Sequence, residues 1–278
     1  MAGIAIMALF AAALPNLPNA VVLSPVANMY SQPSEDADVV SQAIFGSNVG
    51  LAERQAGWAR IRTADDYTGW TPLSALLPGK AYAASGRVAE VASLFAHIYR
   101  EASVTAHAPL VTVPFETKLE VLAQTEERWI RVRLPDGRAG WVQAGDIAFD
   151  AKPLSIPETI EFSKRFLGLP YTWGGTSSFG YDCSGFAQML MRRRGVRMPR
   201  DAQPQADWSG AAAVERNDLK PGDLLYFGES AKKITHTGVY LGDGKFINAS
   251  TWQTPTVRID ELNDAHWSGL LVAVRRVK

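Results

Sequence analysis

The chain contains a single cysteine, and the residues around it are those that make a thiol reactive. Cys183 follows Asp182, a good helix N-cap residue, and the segment from there to Arg194 is rich in residues that favour helices. On the first turn of a helix, unpaired N–H groups and the positive end of the dipole favour a thiolate. A lone thiol also excludes an internal disulfide and a cysteine-rich zinc site. The sequence therefore predicts a nucleophile at Cys183.

A nucleophilic thiol needs a base, and the chain has four histidines. His97 and His107 are expected on the surface of an upstream module, and His266 in a solvated polar loop. His236 differs because it begins a predicted strand, and Asn248 lies on the next strand. An imidazole there would deprotonate the thiol and later protonate the leaving amine, while a polar third group holds its tautomer. We predict that His236 is the base and Asn248 its orienting partner.

The length of the chain and its composition fit two or three compact globular domains. It has 278 residues, a hydrophobic fraction of 47% and a charged fraction of 20%. Lys plus Arg and Asp plus Glu are both 28, so we expect no nucleic-acid partner. The basic run at 192–194 predicts a solvated helix face. We further expect a monomer with no metal, no organic cofactor and no membrane span.

The first half of the chain contains a repeat. Trp58 and Trp129 are 71 residues apart, as are Trp70 and Trp141, and in each copy alternating residues flank a polar turn before Gly-Trp. This pattern predicts hairpins, with the tryptophans in barrel cores. The segments resemble the bacterial SH3 domains found beside cell-wall hydrolases. The resemblance implies two small all-β barrels, at 21–80 and 81–150.

The N-terminal residues predict a signal peptide or leader over 1–20. An apolar stretch at 4–14 has the length of a signal-peptide core, and Pro15 and Pro18 then break any helix. No Lys or Arg precedes the apolar stretch. We predict a periplasmic or secreted protein, with a cytoplasmic protein whose leader packs on the core as the alternative.

After a linker with Pro153 and Pro157, the motifs YTWGG, DCSGF, LKPGDLLYF and HTGVYLGDGKFINAS follow in order. With them, residues 151–278 resemble the NlpC/P60 cell-wall peptidases. The resemblance implies an α+β papain-like fold, circularly permuted, with the triad Cys183, His236 and Asn248. It also implies that the phenol of Tyr171 donates to the oxyanion. The family often has histidine at the third position, which Asn248 replaces as an amide acceptor.

Two SH3-like modules before such a domain resemble γ-D-glutamyl-L-diamino acid endopeptidases. The resemblance implies a murein peptide substrate with a free N-terminal L-Ala, cleaved after the γ-linked D-Glu. Asp201 would bind the amine, with Tyr67 and Asp38 of the first barrel as further partners. The remaining predicted substrate contacts are Asp182, Ser184 and Arg200, the last with the α-carboxylate. The alternatives are a DL-endopeptidase on sugar-attached stem peptides and a catalytically dead wall-binding adaptor. The preferred diamino acid stays open.

Overall fold

The fold is described from a computed structural model, and the structure describes residues 19–79, 81–124 and 128–278. The predicted leader over residues 1–20 lies outside these ranges except for Asn19 and Ala20. These two residues begin the first strand of a barrel, and Ala20 is fully buried. The barrel therefore begins before the predicted boundary at residue 21. No helix within the described ranges is long and apolar enough to cross a membrane.

The first barrel is built from seven strands: β1 (Asn19–Val22), β2 (Val26–Tyr30), β3 (Val39–Ile44), β4 (Asn48–Gln55), β5 (Trp58–Arg62), β6 (Thr68–Pro72) and β7 (Leu76–Pro78). They form one antiparallel sheet in the order β3-β2-β6-β5-β4-β1-β7. The alternation that predicts the hairpin places Ala59 and Ile61 in the core and turns Arg60 outward. The repeat segment thus forms β4, β5 and β6, as its pattern indicates.

The second barrel repeats this order of elements: β8 (Val88–Val91), β9 (Phe95–Ile98), β10 (Val111–Pro114), β11 (Lys118–Gln124), β12 (Trp129–Arg133), β13 (Ala139–Gln143) and β14 (Ile147–Ala148). Five strands form a sheet in the order β13-β12-β11-β8-β14, and β9 pairs with β10. β5 and β12 begin 71 residues apart, and so do β6 and β13. The sequence repeat is therefore a repeat of structure.

The tryptophans of the repeat occupy equivalent places in the two barrels. Trp58 and Trp129 each meet a tyrosine ring edge-on, with ring centroids 5.5 Å and 5.7 Å apart. Trp70 and Trp129 are buried, at 8% and 4% exposure, as the prediction of a core position requires. Trp58 and Trp141 are only half-buried, so the core prediction holds for two of the four tryptophans.

The C-terminal domain packs helices against an antiparallel sheet. Its elements are α1 (Ile156–Ser163), β15 (Thr176–Ser177), β16 (Gly180–Tyr181), α2 (Cys183–Arg193), α3 (Ala202–Ala206), β17 (Ala211–Ala213), β18 (Leu224–Ser230), β19 (Lys233–Gly242), β20 (Lys245–Ser250), β21 (Thr256–Glu261), α4 (Ala265–Ser268) and β22 (Leu271–Val277). Six strands form a sheet in the order β17-β22-β18-β19-β20-β21. Helix α2 packs across β19 and β20.

Each of the two barrels places an aromatic side chain in the core of the domain that follows it. Phe45 of the first barrel belongs to the core of the second. Phe115 of the second barrel belongs to the core of the C-terminal domain, where its ring centroid lies 5.5 Å from Phe162 and 5.6 Å from Phe166. Because these rings are shared, the three domains pack as one body.

The composition of the basic run at the end of α2 predicts a solvated helix face, but two of its arginines contact another domain. Arg192 forms an ion pair with Glu116 at 2.6 Å, and Arg193 forms one with Glu90 at 2.5 Å. Both glutamates lie in the second barrel, so these arginines hold that barrel against the helix. The prediction failed because helical periodicity does not show which surface packs against another domain.

We expect Phe115→Ala to lower the free energy of unfolding by about 3 kcal/mol, because it opens a cavity in a core that two domains share. The measurement is chemical denaturation followed by tryptophan fluorescence. Phe95→Ala is the control, since Phe95 lies in the same barrel at 49% exposure. Equal stabilities of the two variants would contradict the structural role of Phe115.

Candidate active site

Cys183 is the first residue of α2 and is 8% exposed. The carboxylate of Asp182 caps this helix by accepting the N–H of Gly185 at 2.6 Å. A Cβ at position 185 would clash with the carbonyl oxygen of Gly175, so the glycine-rich loop lies directly against the first turn. The predicted position of the thiol at a helix N-terminus is confirmed, and its free N–H groups suit a developing negative charge.

His236 lies on the central strand β19 and its ring is held between aromatic neighbours. It pairs across the sheet with Phe227, and it stacks on Trp267 with ring centroids 4.9 Å apart. The backbone N–H of the next residue, Thr237, interacts with the thiol of Cys183. The start of β19 therefore lies beside the N-terminus of α2, as the sequence predicts.

Asn248 lies on the neighbouring strand β20 and is fully buried. Its Oδ1 is 2.9 Å from Nε2 of His236. Because an amide oxygen only accepts, Nε2 carries the proton and Nδ1 keeps its lone pair. A nitrogen lone pair of this kind can accept the proton of a thiol. The structure thus brings His236 and Asn248 into contact, next to a Thr237 N–H that interacts with Cys183.

Burial sets the resting protonation of the pair. It lowers the pKa of His236 to about 4, although the contact with Asn248 opposes this. It raises the pKa of the Cys183 thiol to about 12, and the charge of Asp182 adds to the shift. At neutral pH both groups are therefore neutral.

Tyr171 lies in the loop that precedes β15. Its backbone bridges Tyr181, two residues before Cys183. Burial raises the pKa of its phenol, and the nearby Cys183 adds to this effect. The phenol therefore stays protonated and can donate a hydrogen bond, as an oxyanion requires.

A buried ion pair lies behind the nucleophile. Nη2 of Arg200 is 2.5 Å from the Asp182 carboxylate, and its Nη1 donates to Ser184 at 2.9 Å. Nε of Arg200 donates to Ser41 of the first barrel at 3.2 Å. The Arg200 side chain is 1% exposed. This corrects the prediction that Arg200 meets a substrate carboxylate, because every guanidinium nitrogen already has a partner within the protein.

The same network engages the side chains of Asp182 and Ser184. The hydroxyl of Ser184 donates to Asp182 at 3.2 Å and accepts from Arg200. Both residues are less than a tenth exposed. The contacts that the structure gives them are internal, so their predicted role as substrate ligands stays a prediction.

Asp201 and Tyr67 meet across the boundary between the C-terminal domain and the first barrel. The phenol of Tyr67 donates to Oδ2 of Asp201 at 3.0 Å. Burial raises the pKa of Asp201 and, together with the charge of Asp201, raises that of Tyr67 to about 12. No salt bridge to Asp201 is present among the described residues. Asp38 is exposed, and no described contact joins its side chain to this pair.

Comparison with known proteins identifies two parts of the chain. The NlpC/P60 family matches residues 168–276, and the bacterial dipeptidyl-peptidase Sh3 domain matches residues 29–76. The chain belongs to the NlpC/P60 family. With that membership it is assigned to a family of cysteine peptidases. The SH3 match covers only the first barrel, so an SH3 identity for the second stays a prediction that the repeated element order supports.

Relatives share both the catalytic domain and the barrels. A γ-D-glutamyl-L-lysine dipeptidyl-peptidase of Bacillus cereus is 31% identical over 226 residues, covering 75% of this chain and 66% of that protein. One of the same description from Bacillus subtilis is 29% identical over 251 residues, covering 87% and 82%. The crystal structure of an NlpC/P60 family protein from Bacillus cereus matches with a TM-score of 0.82 at 25% identity, covering 93% of this chain and 99% of that one.

Two residues of this NlpC/P60 site were not found by sequence reasoning. Trp267, 3% exposed, forms the stacking surface for His236. Asp260, 6% exposed, accepts from the amide of Asn248 at 3.0 Å. Spacing from the motifs gives no signal for either one, and the alternation of β21 would place Asp260 on the face opposite Val257 and Ile259.

His266 was predicted to lie in a solvated polar loop, and the structure corrects this. It lies in α4 and stacks on Trp252, with ring centroids 3.7 Å apart and planes 5° apart. Its ring also meets Trp267 edge-on at 4.6 Å. The charged form of His266 lowers the pKa of His236, after the larger effect of burial. A polar sequence context did not reveal this aromatic packing.

We expect Arg200→Met to lower the free energy of unfolding by about 3 kcal/mol, because it leaves the buried carboxylate of Asp182 without its cation. Arg216→Met is the matched control, since Arg216 is exposed and donates to a single backbone carbonyl at 3.3 Å. Denaturant midpoints check this. A stable Arg200→Met variant with only a raised KM would instead favour direct substrate binding.

The rate of peptide hydrolysis should be retained at mildly acidic pH. The imidazole must be unprotonated to accept the thiol proton, and burial lowers the pKa of His236 to about 4. Activity is therefore present above this pH and lost as pH falls through it. The check is kcat/KM against pH, with folding followed by circular dichroism at each point. An acid limb centred near the ordinary histidine value of about 6.5 would contradict the assignment.

Proposed function

We propose that the protein hydrolyses the γ-D-Glu–L-diamino acid bond of murein peptides that carry a free N-terminal L-Ala. The observation that carries this proposal is the pairing of Tyr67 and Asp201 at 3.0 Å across a domain boundary. Arg200, the neighbour of Asp201, is ion-paired to Asp182, the neighbour of Cys183. The pairing thus lies a short distance from the nucleophile. The names of the two Bacillus dipeptidyl-peptidases support the same bond.

The chemistry at Asp201 suits an ammonium group. Tyr67 donates to Oδ2, which leaves Oδ1 for a ligand. Burial raises the pKa of Asp201, which means that the carboxylate lacks full compensation for its charge. A substrate amine would supply that charge and form a charge-assisted hydrogen bond. An acylated amine has neither the charge nor a second hydrogen to give.

The first barrel limits how far a substrate can extend beyond this carboxylate. Gln42 of β3 accepts the N–H of Thr176 at 3.1 Å, and Gln188 of α2 donates to Asp65 at 3.0 Å. The barrel is therefore fixed against α2 and against β15, which precedes it. A peptide attached to a sugar would have to pass through this wall, which is why we favour a free peptide over an intact stem peptide.

The proposed reaction gives each of the three side chains a role. Cys183 attacks the γ-carbonyl of D-Glu while Nδ1 of His236 takes its proton. The N–H of Cys183 and the phenol of Tyr171 receive the developing oxyanion. His236 then protonates the leaving amine of the diamino acid, and a thioester remains. A water molecule, deprotonated by His236, hydrolyses that thioester and restores the thiol.

We place this reaction outside the cytoplasm, in the periplasm or beyond the cell. Murein is the substrate polymer there, and the apolar stretch at residues 4–14 would direct export. Either lysine or another diamino acid fits the proposal.

The test uses the tripeptide L-Ala-γ-D-Glu-L-Lys and its N-acetyl form. We expect kcat/KM to be about 100-fold higher for the free amine, because a charged hydrogen bond in a buried site contributes about 3 kcal/mol. Asp201→Asn should remove that advantage and leave the acetylated peptide almost unaffected. Asp66→Asn is the control, because Asp66 precedes Tyr67 and its side chain is 77% exposed. Cys183→Ala should abolish cleavage of both peptides.

Equal rates on the two peptides would overturn amine recognition and favour a DL-endopeptidase of sugar-attached peptides. Retained activity in Cys183→Ala would overturn the nucleophile assignment. If wild-type protein cleaves neither the peptides nor purified sacculi, the domain is a binding adaptor.

A further inference from the structure

The amide of Asn248 is held at both ends. Its Oδ1 lies 2.9 Å from Nε2 of His236, and its Nδ2 donates to Oδ2 of Asp260 at 3.0 Å. Nδ2 also lies 3.4 Å from the backbone carbonyl oxygen of Arg258. Asp260 and Arg258 both belong to β21, the edge strand beside β20. All three groups around Nδ2 and Oδ1 are therefore set by neighbouring strands of one sheet.

An amide has nearly the same shape after a half-turn, but its donor and acceptor exchange places. If the amide of Asn248 were reversed, it would present N–H groups to Nε2 of His236. The ring proton would then move to Nδ1, and Nδ1 could not accept the proton of Cys183. A histidine base beside an asparagine thus works only if something fixes the orientation of the amide.

We propose that Asp260 is the positioning residue that fixes it and, through Asn248, sets the reactive tautomer of His236. An ionised carboxylate accepts hydrogen bonds and donates none, so it tolerates only the Nδ2 end of the amide. The carbonyl oxygen of Arg258 has the same preference. This inference rests on the roles proposed for Cys183 and His236.

The charge of Asp260 is compensated within the same strand. Nη2 of Arg258 lies 2.6 Å from Oδ1 of Asp260, which leaves Oδ2 for the amide. Nη1 of Arg258 donates to the carbonyl oxygen of Trp252 at 3.0 Å, so the guanidinium is itself held. Asp260 is 6% exposed, and its two oxygens receive two different donors. Removing either oxygen leaves one buried donor unpaired.

A reciprocal exchange of the two side chains tests this assignment. In Asp260→Asn, one amide oxygen must serve both Arg258 and Asn248, so we expect kcat to fall about 10- to 100-fold with little change in KM. In Asn248→Asp, two carboxylates face each other, and we expect a similar loss. In the double variant, the new carboxylate at position 248 accepts hydrogen bonds from both His236 and the new amide at position 260. The oxygen of that amide accepts from Arg258. We expect kcat within about 5-fold of wild type.

Two further readouts separate positioning from a purely structural role. A carboxylate beside Nε2 favours the imidazolium, so the acid limb of kcat should move above that of wild type in the double variant. Long-range ¹⁵N–¹H spectra of the histidine rings, assigned with His236→Ala, should show the Nε2–H tautomer in wild type and the double variant. Asp260→Asn should show a growing Nδ1–H population.

Glu261→Gln is the control, because Glu261 follows Asp260 on β21 and its side chain is 63% exposed. Wild-type kcat and an unchanged tautomer in folded Asp260→Asn would overturn the inference, as would a double variant no better than the worse single one. The tautomer measurement needs no substrate. If wild type cleaves no peptide but Asp260→Asn still shifts the tautomer, the proposed function fails and the inference holds.

Discussion

The ion pair between Asp182 and Arg200 is the interaction on which the geometry of the site depends. Taking two charges out of water is expensive, and their attraction offsets that cost only when the remaining donors and acceptors are satisfied. Here Asp182 also accepts from Gly185 and Ser184, and Arg200 also donates to Ser41. The pair is therefore stable only in one arrangement. That arrangement fixes the backbone on both sides of each partner.

Two functional positions lie next to this pair in the chain. Cys183 follows Asp182, so the cap that orients the helix also places the thiol. Asp201 follows Arg200, so the same pair places the carboxylate that meets Tyr67. Because Arg200 also reaches Ser41, the first barrel takes part in the network. Cys183, the proposed amine site at Asp201 and the first barrel are thus joined through one buried cluster.

The sequence predicts those features that depend on neighbours along the chain. The helix start at Cys183, the paired hairpins, and the adjacent strands of His236 and Asn248 all follow from local pattern. Burial of Arg200, packing of Arg192 on the second barrel and stacking of His266 do not follow, because each contact joins segments far apart in the chain. Asp260 was missed for another reason. Its contact depends on the register of β20 with β21, and alternation fixes which face a residue occupies but not its partner.

A buried, neutral pair changes what the third residue has to do. In an ion-paired site, a neighbouring carboxylate or imidazole would stabilise the positive charge on the base. Here burial holds both Cys183 and His236 neutral at rest, so charge does not select the reactive state. In the proposed mechanism the tautomer of His236 does, because only the Nε2–H form keeps a lone pair on Nδ1 for the thiol proton. An amide serves this purpose at any pH, since it has no proton to gain or lose. An amide alone does not fix which end is the donor and which the acceptor. The acceptor groups of β21, the Asp260 carboxylate and the Arg258 carbonyl oxygen, fix that orientation.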